Sequence, residues 1–254
     1  MTRDLAADGA YVAEPTGAPR GGLVLIHEIW GLVPHIRDVA DRYAHEGYLV
    51  VAPDLLSDAG ITPDVGAELA AAHLETDPEL RLGAQARLRE AMTMTRQPRF
   101  AAAAVAKLVA AVDVLDSRPG VGGRIAVTGF CFGGTYSFAL AAADARVRVA
   151  LPFYGIAPDD GEPAGIRGRV LAFYGGDDAR VTDTLPATRA RLEDAGVEFA
   201  AHVYPGARHA FFNDTNTAAY DADAATDAWR RALAFLEAHL DGADRDEALP
   251  SDRD

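Results

Sequence analysis

Short, almost wholly apolar runs alternate with segments of helical periodicity along most of this chain. That alternation restricts the fold of its 254 residues more than any other feature. "GGLVLIHE" (21–28) is rich in Val, Leu and Ile and flanked by glycine, the pattern of a strand buried on both faces. "PHIRDVADRYAHEGY" (34–48) follows, with Ile36, Val39, Ala40, Tyr43 and Ala44 at helical spacing, Pro34 near its start and Gly47 closing it. "YLVVAPDL" (48–55) is the next strand, stopped by Pro53. Residues 64–116 are Ala-rich and helical, broken near Pro78 and Pro98, with the clearest helices over about 79–96 and 100–116. Beyond them "GRIAVTGF", "RVRVALPFYG", "GRVLAFYGG" and "VEFAAHVYPG" read as strands, and 132–143, 184–195 and 218–240 as helices. Strands separated by helices predict an α/β fold, a mainly parallel sheet with helices on both faces. Residues 1–240 are expected to form one domain. The tail "DGADRDEALPSDRD" is charged and poor in bulky apolar residues and is expected to be mobile.

Composition excludes several classes of function. A formal net charge of -14 argues against a nucleic-acid surface and against docking on anionic lipid. A single cysteine, Cys131, rules out an internal disulfide and a Cys/Cys metal site. No segment has the length of a membrane span, and the N-terminal residues carry no apolar stretch of signal-peptide length, so a cytoplasmic location is expected; the chain is separately expected to be a monomer.

That lone thiol stands in "GFCFGG" (129–134), between a predicted strand and a predicted helix. The form is glycine, any residue, nucleophile, any residue, glycine. A turn this sharp strains the backbone of its central residue, so its neighbours must be small, and it lifts the nucleophile to the C-terminal edge of a sheet. At a helix N-terminus the dipole favours a thiolate, and the N–H of Phe132 can face a developing oxyanion. A buried free cysteine can also be mere packing. Partners decide the matter. Asp177 and Asp178 end the strand in "YGGDDARV", and His209 follows the next strand in "YPGARHAFF". Cys131, an aspartate and His209 thus occur in the order of an α/β-hydrolase triad, each at the C-terminal end of a predicted strand, where open α/β sheets bind ligands.

With these motifs in place, the chain resembles the dienelactone hydrolase family of α/β-hydrolases over roughly residues 20–240. The resemblance rests on "HEIWGL", "GYLVVAPDL", "GFCFGG", "YGGDDARV" and "YPGARHAFF" in that order. It implies an α/β-hydrolase fold, no cofactor or metal, and hydrolysis of a small-molecule ester or lactone through an acyl-cysteine. The family's acid stands in Gly-x-x-Asp-x-x-Val, which selects Asp178 over Asp177 because Gly175 and Val181 match. In family terms Glu28 takes the proton from the thiol, and the N–H of Ile29 joins that of Phe132 in the oxyanion hole. The bland alternative for Glu28 is a cap on the following helix, and His27 is expected simply to pack at the strand end. Family members that bind a carboxylate place an arginine four residues after the histidine, where this chain has Asn213. The second family arginine corresponds by spacing to Arg89, with Arg81, Arg96 and Arg208 as substitutes. Asn213 therefore keeps open a general carboxylesterase or thioesterase for a neutral substrate. A redox-sensing or binding protein on the same fold is the non-enzymatic alternative.

Overall fold

The computed structural model describes residues 9–157 and 163–240. The charged tail from 241 onward lies outside them. Strand β1 (Tyr11–Ala13) is followed by β2 (Gly21–Ile26), α1 (Pro34–His45), β3 (Tyr48–Ala52), α2 (Pro63–His73), α3 (Pro78–Thr95), α4 (Pro98–Asp116) and β4 (Ile125–Phe130). Then come α5 (Phe132–Ala143), β5 (Val147–Phe153), β6 (Arg169–Gly175), α6 (Ala179–Thr182), α7 (Leu185–Asp194), β7 (Phe199–Tyr204) and α8 (Ala222–His239). The sheet runs β1-β3-β2-β4-β5-β6-β7. Every neighbouring pair is parallel except β1 with β3. The expected α/β-hydrolase architecture is therefore present.

Sequence and structure agree most closely at α5, whose observed limits are the predicted ones. The last helix begins later than expected. Asp221 caps it, accepting a bond from Ala224 N–H at 3.0 Å, which places the helix start at Ala222. β1 was not expected. Three residues of "YVA" carry no readable period, and they are held by antiparallel pairing with Val50–Ala52.

Along β2 the side chains alternate between two cores, Leu23 and Leu25 into one and Val24 and Ile26 into the other. The first core joins the sheet to α1 and α8, the second to α4, α5 and α7. Parallel strands covered on both faces must be apolar on both, which is why they read as continuous runs. Helix α3 stands apart: only Ala84 is buried, while Leu80 and Leu82 are exposed. Among the described residues no helix is long and apolar enough to cross a membrane.

This scaffold brings the start of α5 hard against the end of β2. A Cβ on Gly133 would lie 2.2 Å from the Ile26 carbonyl oxygen, and one on Gly129 would lie 2.3 Å from that of Gly133. Only glycine fits at either place. The two glycines thus fix Cys131 beside the chain that leaves β2 as His27 and Glu28.

Candidate active site

Cys131 is the N-cap residue of α5, with φ 56° and ψ -110°, a backbone conformation rarely adopted by a side-chain-bearing residue. Its N–H donates to the Phe153 carbonyl at 3.0 Å, tying the turn to the end of β5. The thiol is pushed up to about 12, first by burial and next by the negative charge of Glu28. The Phe132 N–H and the positive charge of Arg180 act in the opposite direction. No hydrogen bond joins the thiol to Glu28 or His209 among the described residues. The resting thiol therefore holds its proton.

Asp178 ends the turn after β6 and is buried; His209 lies on the loop between β7 and α8. The Asp178 carboxylate takes the hydrogen bond of His209 Nδ1, which leaves Nε2 as the nitrogen open to a reacting group. Asp177 is exposed, and its backbone N–H donates to the Ala207 carbonyl at 2.9 Å. The Gly-x-x-Asp-x-x-Val reading thus picks the aspartate that meets the histidine.

Glu28 is 2% exposed, and donors reach both of its oxygens. Tyr154 Oη donates to Oε1 at 3.2 Å, and Asn213 Nδ2 donates to Oε2 at 2.7 Å. Both donors are neutral. Burial dominates and raises the carboxyl to about 7, with the two hydrogen bonds pulling the other way. A helix cap would bond to the first N–H groups of α1, but those of Ile36 and Arg37 go to the Val33 carbonyl. The capping alternative for Glu28 therefore fails. Among the described residues the Ile29 N–H has no acceptor, so it is available as a donor.

His27 does more than pack. It is fully buried, and its Nε2 accepts from the Leu55 N–H at 3.1 Å, so its other nitrogen carries the proton. That Nδ1 donates to the Glu28 carbonyl at 2.7 Å, fixing the backbone of the carboxylate's own residue. Burial lowers the His27 pKa and keeps the ring neutral.

The residues expected to bind substrate lie in different surroundings. Asn213 is buried and borders a cavity of about 320 Å³ with Trp30, Val33, Ala67 and Leu74, but its amide is engaged by Glu28 and Thr215. Arg89 is exposed on α3, as is Arg81, while Arg96 is exposed just beyond its end. No contact brings any of the three to Glu28, Cys131 or His209 among the described residues. Arg208 is also exposed and donates to the Ala218 carbonyl at 3.2 Å. Two contributors escaped the sequence reading. Tyr154 at the end of "PFYG" reads as strand but has φ 40°, and its ring lies 5.1 Å from that of His209. Arg180 hides in "DDARV" as one exposed arginine among many.

The profile of the dienelactone hydrolase family matches residues 9–240. This chain belongs to the dienelactone hydrolase family. A Saccharolobus solfataricus protein assigned as a carboxymethylenebutenolidase is 31% identical over 243 residues, covering 89% of this chain and 92% of that one. The crystal structure of a Klebsiella pneumoniae protein assigned as a dienelactone hydrolase is 29% identical, with a TM-score of 0.71 over 89% of this chain and 91% of that one. A dienelactone hydrolase-like promiscuous phosphotriesterase from metagenomic libraries is 26% identical, with a TM-score of 0.66 over 90% and 91% of the two chains. This family member is a carboxylic ester hydrolase acting on small molecules.

Proposed function

We propose that the chain hydrolyses an ester or lactone through an acyl-cysteine on Cys131. The observation that carries this reading is the elbow itself: a positive-φ thiol at a helix N-terminus, beside a buried carboxylate. Glu28 takes the proton of the thiol, and the thiolate attacks the carbonyl carbon. The C=O electron pair moves onto oxygen, held by the N–H groups of Phe132 and Ile29. Collapse breaks the C–O bond. The proton taken from sulfur, passed from Glu28 through His209, ends on the departing alkoxide. In the second half His209 removes a proton from water, and the hydroxide attacks the thioester. The expelled thiolate recovers its proton from His209, while Asp178 holds the imidazole in the working tautomer. A thiolate is also a good leaving group, which suits activated esters, enol lactones and thioesters better than amides.

A second reading narrows the substrate to one with an uncharged acyl group. Asn213 stands where carboxylate-binding relatives have arginine, and the cavity beside it is lined by no arginine or lysine among the described residues. Intact-mass measurement after mixing with an activated ester tests the mechanism. An acyl adduct on the wild type and none on Cys131→Ala is expected. Turnover by the alanine variant at near wild-type rate would overturn the assignment, and oxygen addition under peroxide without acylation would mark a redox sensor instead.

A further inference from the structure

The position four residues after the catalytic histidine carries an amide whose orientation can be decided. Asn213 Oδ1 receives the Thr215 backbone N–H at 3.0 Å, and an N–H can only donate. The Thr215 hydroxyl donates to the same oxygen at 2.7 Å. Oxygen is therefore on the Thr215 side, and Nδ2 is the atom that faces Glu28. The loop around it is also pinned. Asn213 N–H donates to the Ala210 carbonyl and Asn216 N–H to the Asn213 carbonyl, each at 3.0 Å, while Asp214 pairs with Arg42 of α1 at 2.5 Å.

We propose that Asn213, locked by Thr215, is a positioning residue that holds Glu28 over the thiol and sets the pH at which Glu28 becomes a base. A neutral donor stabilises the carboxylate without neutralising it. An arginine there would keep Glu28 ionised well below neutrality, whereas the amide leaves it changing state near pH 7, where taking up and giving back one proton are both easy. Two buried histidines lie close by, each with its pKa lowered by burial: His27 donates to the Glu28 carbonyl, and His35 of α1 pairs with Asp214 next to Asn213. Tyr154 donates to the other oxygen, the Cys131 thiol is protonated, and Arg180 and Asp178 act on that thiol from the β6 side. His209 packs against the Tyr154 ring.

This inference rests on Glu28 being the base, and the experiment separates the two. The kcat/KM of an uncharged activated ester is measured from pH 5 to 9 for wild type, Glu28→Gln, Asn213→Leu, Thr215→Val and Thr215→Ser. Infrared absorption of the protonated carboxyl of Glu28 is followed over the same range. Losing the Asn213 donor should move the acid limb and the carboxyl titration upward together, by on the order of one pH unit. Thr215→Val should move them in the same direction by less, and Thr215→Ser, which keeps the hydroxyl, should restore the wild-type profile. Equal loss of activity at every pH, with the carboxyl titration unmoved, would overturn the positioning role. An unchanged limb in Glu28→Gln would instead mean that Glu28 is not the base.

Discussion

Replacing Glu28 by glutamine should make the protein more stable above neutral pH while reducing its turnover sharply. Between its ordinary value of 4.5 and the value of about 7 imposed by burial, the folded protein holds a proton that the unfolded chain has released. Stability therefore falls as pH rises through that window and is lowest above it. A rise from 4.5 to about 7 corresponds to roughly 3 kcal/mol of native-state destabilisation once Glu28 is ionised. Glutamine removes that cost and keeps both contacts: its oxygen can accept from Asn213, and its amide can donate to the Tyr154 hydroxyl, which reverses its role. Thermal midpoints of both proteins from pH 4 to 9 test this. The curves should coincide near pH 4 and separate progressively above it. By pH 8 the variant should lead by several degrees, since about 1 kcal/mol is worth ~2–4 °C in a domain of this size. A variant less stable than wild type at all pH values would refute the reasoning, because it would make Glu28 a net structural contact.

Two further outcomes follow from the same geometry. Asp178→Asn should lower kcat by on the order of 10³–10⁴, because it removes the charge that steadies the imidazolium and lets an amide N–H face Nδ1 and favour the wrong tautomer, and Asp177→Asn should be mild; the reverse pattern in steady-state assays would show the motif misread by one residue. Alkylation of Cys131 by iodoacetamide at pH 8 should be slow in the wild type. It should be faster in Glu28→Gln, which removes a negative charge beside the thiol, and slower in Arg180→Gln, which removes a positive one; equal rates in all three would contradict the electrostatics of the site.

The hydrolase sheet and the paired Asp178 and His209 were legible because each leaves a local trace. Buried parallel strands are apolar on both faces, and the elbow needs glycines where backbones approach to within the width of a Cβ. The surroundings of Glu28 were not legible in the same way. Tyr154 reaches it from 126 positions away and Asn213 from 185, and nothing in either local pattern marks them as its donors. His27 shows the same limit: a histidine at a strand end reads as packing, and only the Leu55 N–H fixes its tautomer and its hold on Glu28. Arg89 was placed by spacing along a helix, where a slip of one residue turns a side chain by about 100°. The structure puts it in solvent.

The loop between β7 and α8 supplies both the histidine that Asp178 orients and the amide that holds Glu28. A tight backbone turn links them, with Ala210 at φ 64° accepting the N–H of Asn213. For anyone recombining relatives of this protein, residues 205–221 are consequently a single cassette. A chimera that exchanges the whole segment inherits a histidine and the amide that holds Glu28 already matched to each other. A crossover placed between 210 and 213 joins halves shaped against different partners, and it can spoil the chemistry while leaving every strand of the sheet in place.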